Sequence, residues 1–166
     1  FEHGMLVNEG SIHIPLIVHH PGVLGSHKVD ALVQNTDLLP TILSQLEIPI
    51  NHPIDGIIMP GPWSKERERN YVYSCTPFPL EYRTFYQTIR THTDKLIQSD
   101  TEGYMFYDLL KDPTEKKNII DNVNTIRKQK LTTLMDRFGK DKAVSEVIPV
   151  LPNDVIRKLE SLGYVK

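Results

Sequence analysis

Gly103-Tyr104-Met105-Phe106-Tyr107-Asp108-Leu109-Leu110-Lys111-Asp112-Pro113-Thr114-Glu115-Lys116-Lys117-Asn118-Ile119 is the stretch on which the reading of this chain turns. The run from Tyr104 to Leu110 is apolar and aromatic, the composition of a β-strand. Lys-Asp-Pro-x-Glu follows, a turn signal. Asp112 and Asn118 are side chains of the kind that hydrogen-bond the local backbone in turns. Tyr107 and Asp108 read as a core residue and a turn residue.

Upstream, Tyr71–Ser74, Thr84–Thr91 and Lys95–Gln98 are further strand candidates, rich in Tyr, Phe, Thr and Ile. Turn residues at Thr93-Asp94 and from Asp100 to Gly103 separate them, and such short links predict an antiparallel meander. Downstream, Val123, Ile126, Leu131, Leu134, Met135 and Phe138 fall at helical spacing, with Gly139 as a stop. One face of that helix is expected to cover the sheet. Asn153 can cap a short last helix through Val155, Ile156 and Leu159, closed by Gly163.

The N-terminal third reads differently. Ile12 to Val18 is a near-continuous apolar run, the pattern of a strand buried on both faces, interrupted by Pro15. Thr36 to Leu46 predicts a helix with Thr36 as N-cap and a stripe of Leu38, Leu39, Ile42, Leu43 and Leu46. Residues 49–69 hold four prolines and end in a charge run, which marks a surface crossover. The expected organisation is therefore residues 1–50 as the end of a larger α/β domain, 51–69 as a crossover linker, and 70–166 as a small α+β subdomain.

Composition narrows the classes. With 19 basic and 21 acidic residues the net charge is −2, which offers no electrostatic footprint for nucleic acid. No run approaches the roughly 18 apolar residues of a membrane helix. Cys75 is the only cysteine, so neither an intrachain disulfide nor a thiolate metal cluster can form.

The Tyr107 to Asn118 block resembles the "LYDL-x-x-DP-x-E-x-x-N" block near the C-terminus of the sulfatase family. Three further stretches resemble that family in the same order. Glu2-His3-Gly4 with Ile14-Pro15-Leu16-Ile17-Val18 and Pro21-Gly22 is similar to the "DHG…HG" and "PL-I-V-x-x-PG" blocks. Thr36-Asp37-Leu38-Leu39-Pro40-Thr41-Ile42-Leu43 is similar to its "TD-x-x-PT-x-L" helix. Leu159 to Val165 is similar to its "L-x-x-LGY-V" ending. The resemblance implies the C-terminal part of an alkaline-phosphatase-like α/β fold, with a four-stranded antiparallel sheet packed on a helix. It implies a sulfuric ester hydrolase that uses formylglycine as nucleophile and calcium, or another divalent cation, as metal. In that family the nucleophile motif and most metal ligands precede the region seen here. The expectation is that this chain is inert alone, has the N-terminal part of the same enzyme as its partner, and belongs to an enzyme acting on a sulfated small molecule or glycan. Family members are periplasmic, secreted or lysosomal, and the sequence leaves the compartment open.

Two residues become candidates on this resemblance. His3 lies in the active-site vicinity, with an alternative role in ordering its loop by a hydrogen bond. Asn8 falls where the family usually carries a lysine, with a plain turn residue beside Gly10 as the alternative. A neutral amide there keeps a phosphodiester or phosphonate ester hydrolase of the same superfamily open as a second reading. A non-catalytic domain that binds a partner or a glycan is a third. His13 stands where arginine is usual and reads as structural. His19 and His20 are neighbours on an extended chain and point apart, so joint metal ligation is not expected. Tyr82-Arg83 reads as a solvated pair.

Overall fold

The computed structural model describes residues 7–19, 21–22, 25–64, 68–76, 84–140, 157–158 and 161, with the side chains of 139 and 140 left out. The chain divides into two units, 1–136 and 137–166. In the second, the described residues are the end of a helix begun in the first, plus Arg157, Lys158 and Ser161, which are helical. The rest of the expected last helix, and Tyr82-Arg83, lie outside the described residues.

The first unit is built on strands β1 (Val72–Cys75), β2 (Tyr86–Arg90), β3 (Asp94–Ser99) and β4 (Gly103–Asp108). They pair in sequence order as one antiparallel sheet. The expected meander stands, with ends shifted by one or two residues. Thr91 closes the β2–β3 turn: its N–H donates to the Asp94 carbonyl at 2.8 Å and its hydroxyl accepts the Asp94 N–H at 2.9 Å. The β3–β4 turn needs a left-handed residue, which Gly103 supplies at φ +76°.

Alternation assigns the two faces. Ile89, Leu96 and Phe106 stand opposite one another across three strands and are all wholly buried. Helix α3 (Thr125–Lys140) covers this face. Arg127 lies over the Phe106 ring at 5.6 Å, and Leu131 and Met135, one and two turns on, are buried. Gly139 does not stop the helix, which continues to Lys140. The opposite face carries Tyr86, Ile97 and Tyr107, which cluster with Val7 and Leu109, and Ile12 and Met105 pack against that cluster. The N-terminal segment thus covers the second face of the small sheet.

Two N-terminal expectations are corrected. Ile12–Val18 is not a strand: Ile12 ends α1 (Glu9–Ile12), and residues 13–18 have no regular structure. Ile14, Leu16, Ile17 and Val18 are exposed, Ile17 to 91%. A two-faced apolar run needs paired neighbours on both sides to form a strand, and no described strand pairs with it. The Thr36 helix begins later, as α2 (Leu38–Gln45), behind a 3-10 turn at Asn35–Asp37. Its apolar stripe is only partly covered, with Leu38 and Leu43 half-buried. Leu39, Ile42 and Leu46 face outward, while Asp37 and Thr41 are buried.

Asp37 explains that placement. Its carboxylate accepts the Gln34 N–H at 2.8 Å and the Ile57 N–H at 2.9 Å, and pairs with Arg69. Thr41 continues the knot, its hydroxyl donating to the Asp37 carbonyl and accepting the Met59 N–H at 2.8 Å. A wholly buried carboxylate without such partners costs several kcal/mol, so the Thr41 side of α2 turns inward to where the partners are (on the order of that size). The knot draws the proline-rich stretch against α2, and Gly56 is where they meet. A Cβ on Gly56 would stand 1.9 Å from the Thr36 carbonyl oxygen. Gly56→Ala is expected to destabilise the chain by about 1–3 kcal/mol, read as a lower urea midpoint at unchanged slope. An unchanged midpoint would contradict the close approach.

Candidate functional site

His3 lies outside the described residues. Asn8 is the N-cap of α1: its side-chain oxygen accepts the Ser11 N–H at 3.0 Å. Its backbone carbonyl also accepts the Ser11 and Ile12 N–H groups, each at 3.0 Å. His13 is largely exposed, with Nδ1 3.5 Å from the Glu9 carboxylate. The described residues therefore place Asn8 at the head of a single helical turn.

Directly beside Asn8 lies a network that sequence reasoning missed. Arg90 on β2 and Lys95 on β3 stand opposite each other in register. Two cations so placed repel. The Glu9 carboxylate bridges them, accepting from Arg90 Nε at 3.1 and 3.2 Å and from Lys95 Nζ at 3.0 Å. Lys95 Nζ is also 2.7 Å from Glu115, whose other oxygen accepts the Glu9 N–H at 2.6 Å. Two carboxylates meet two cations, so the network is neutral. That balance is what allows a lysine of 0% exposure in the sheet. Burial pushes the Glu9 carboxyl up, but Lys95 and then Arg90 outweigh it and hold it below its ordinary value.

The Asp-Pro-x-Glu turn presents Glu115. Asp112 accepts the Lys117 N–H at 2.8 Å and closes the turn. Asn118 accepts the Phe106 N–H and the Ile120 N–H, each at 3.0 Å, and so staples the turn to β4. Glu115 itself is left-handed, at φ +56°, a conformation costing a non-glycine residue about 1 kcal/mol. The signal for the network was present in the sequence. A tight hairpin with Arg90 and Lys95 at its neck puts two cations side by side, and the motif glutamate had no assigned role.

A cleft of about 1290 Å³ runs beside the network, lined in part by residues 11–19, Trp63, Tyr73, Cys75 and Arg90. The Tyr73 phenol is pushed up by burial, then by the neighbouring Cys75 thiol, so it stays neutral. Its hydroxyl lies 3.1 Å from Gln87. Among the described residues no three His, Cys, Asp or Glu gather so as to hold a metal ion. Glu9, Glu115 and Asp37 are committed to lysine, arginine and backbone partners. These residues do not fit a calcium site.

The antiparallel sheet, its covering helix and the Asp-Pro-x-Glu turn stapled to the last strand define the C-terminal portion of a sulfatase-type chain. The chain belongs to the family described as N-sulphoglucosamine sulphohydrolase, C-terminal, which matches residues 1–141. Arylsulfatase K of Gallus gallus is 38% identical over 52 residues, 31% of this chain and 10% of the relative. A solved structure of a presumed sulfatase from Bacteroides thetaiotaomicron VPI-5482 aligns with TM-score 0.51 and 24% identity, over 64% of this chain and 24% of that one. The structure of BT4656 in complex with its substrate, D-glucosamine-2-N,6-O-disulfate, aligns with TM-score 0.52 and 21% identity, over 69% and 25% of the two chains. These two likenesses are of fold. The matched region spans about a tenth of the curated relative and about a quarter of each solved chain.

The depressed Glu9 carboxyl fixes a pH dependence. The native chain binds this proton less readily than the unfolded chain, whose ordinary value is 4.5. The stabilisation is therefore complete above that value and is lost as pH falls through the lower native one. Glu9→Gln should destabilise the chain at about pH 7 and differ much less from wild type at about pH 3. A gap of equal size at both pH values, read from urea unfolding, would contradict the assignment.

Proposed function

We propose that this chain is the C-terminal part of a sulfatase, a sulfuric ester hydrolase that releases sulfate from a sulfated sugar. The observation that carries this is the family match across residues 1–141. The substrate class draws on the family's description and on the disulfated glucosamine bound by BT4656. Formylglycine and calcium belong to this reading and to other residues of the longer protein. There the formylglycine side chain would supply the nucleophile, and a bound calcium ion would neutralise the charge of the sulfate oxygens. His3 and Asn8 stand on this reading at the edge of the active centre. Asn8 can donate hydrogen bonds there without adding charge.

Residues 1–50 then complete the large α/β domain, 51–69 cross over, and 70–166 form the small subdomain. The exposed apolar residues Ile14, Leu16, Ile17, Leu39, Ile42 and Leu46 support this division. A surface of that kind marks an interface, and its partner here is the upstream part of the same enzyme.

The neutral Asn8 favours one second reading, a phosphodiester or phosphonate ester hydrolase of the same superfamily. The longer protein that carries this chain separates the readings when assayed on aryl sulfate, O- and N-sulfated glucosamine and aryl phosphodiester. Sulfate release with calcium present is expected to dominate. Dominant phosphodiester cleavage selects the second reading. A longer protein without the Cys/Ser-x-Pro-x-Arg nucleophile motif selects a non-catalytic binding role. The 166-residue chain alone is expected to turn over no sulfate ester above a denatured control.

A further inference from the structure

We infer that Lys95 is a positioning residue, which fixes the Asn8–His13 segment onto the small sheet through Glu9 and Glu115. This rests on the sulfatase reading for its catalytic consequence and on geometry alone for the tie itself. Lys95 is wholly buried, unusual for a lysine, and both of its anionic partners come from outside the sheet. Glu9 is 86 residues away in sequence, and the Glu9–Glu115 bond spans 106. The partners are not interchangeable with water. Glu115 is held in a left-handed conformation while its two oxygens reach Lys95 and the Glu9 N–H. Glu9 is also the first residue of the helical turn that Asn8 caps, so its carboxylate and its N–H are both pinned one residue from Asn8. A residue that only stabilised the sheet would be bonded within the sheet. Lys95 instead reaches off it, and the four charges cancel only when the N-terminal segment is in place. Withdrawing that segment leaves Arg90 and Lys95 facing each other across the strands with Glu115 as the one carboxylate of the network remaining. The turn from Asp112 to Asn118 thereby governs a candidate active-site segment that it does not adjoin in sequence.

Hydrogen exchange on this chain and kinetics on the longer protein test the inference together. In Lys95→Met the Ser11, Ile12 and His13 amides, which donate to Asn8 and Glu9 carbonyls, should exchange on the order of 100-fold faster. The β2–β4 amides should accelerate at least about tenfold less than these three. Uniform acceleration across the sheet would make Lys95 a general stabiliser and overturn the inference, as would no acceleration at all. Should Lys95→Met fail to fold, Glu9→Gln keeps the shape of the network, removes one charge, and should show the same localised pattern. In the longer protein, Lys95→Met or Glu9→Gln should lower kcat on the sulfated substrate by about tenfold or more, with KM changed less than about threefold. Unchanged kcat overturns the catalytic consequence. A wild-type longer protein that releases no sulfate overturns the sulfatase reading instead, and exchange at Ser11–His13 still decides the tie.

Discussion

A charged side chain buried in a four-stranded sheet imposes an order on everything around it. The Lys95 side chain is shut off from water, so anions must come to it. Glu9 and Glu115 do so from positions 106 residues apart in the sequence, and Arg90 balances the count. The energetic logic is that of buried ion pairs generally: the assembled set is near neutral in its contribution, while removing one member costs about 3–5 kcal/mol. The arrangement therefore gives specificity more than stability. Directional contacts at Glu9 tie the placement of the N-terminal segment more closely than does the apolar cluster of Val7, Ile97 and Tyr107 beside it.

Asp37 plays the same role for the other half of the first unit. One buried carboxylate collects two backbone donors and Arg69, and with them the proline-rich stretch and the α2 N-terminus. The consequence is a helix that buries Thr41 and exposes Leu39 and Ile42. Such a helix makes sense only as one layer of something larger, with its apolar stripe set against a neighbour. Family membership supplies the reason, since the matched region is a minor part of each relative.

The sheet was legible in the sequence because its strands are aromatic and β-branched and its turns carry glycine and aspartate in the right places. The Asp112–Asn118 turn was legible for the same reason, and each of its polar residues does locally what its chemistry suggests. The outward face of α2 was not, because a stripe argument assumes that apolar residues face the chain in hand. The Ile12–Val18 strand failed on that assumption too: pairing partners, not composition, decide whether such a run forms a strand. Lys95 was hidden because a lysine in a strand reads as a solvent-facing residue unless its distant partners are known. Asn8 was singled out through family resemblance alone, and the structure shows its local capping role. The glutamate next to it, which carries the long-range contacts, has no distinguishing local pattern.

The separation between Glu9 and Glu115 also bears on how the chain is made. A bond spanning 106 residues cannot form until its second half has been synthesised. At the usual pace of translation, about 5–20 residues per second, Glu9 waits on the order of 5–20 s for Glu115 to be joined to the chain. Through that interval the apolar stretch from Ile14 to Val18 travels beside it without the sheet that later anchors its leading end. The small sheet, built from consecutive strands with short turns, can close as soon as it leaves the ribosome. Vectorial synthesis thus makes the anchor after the segment it holds, so residues 9–13 find their place only once Glu115 has joined the chain.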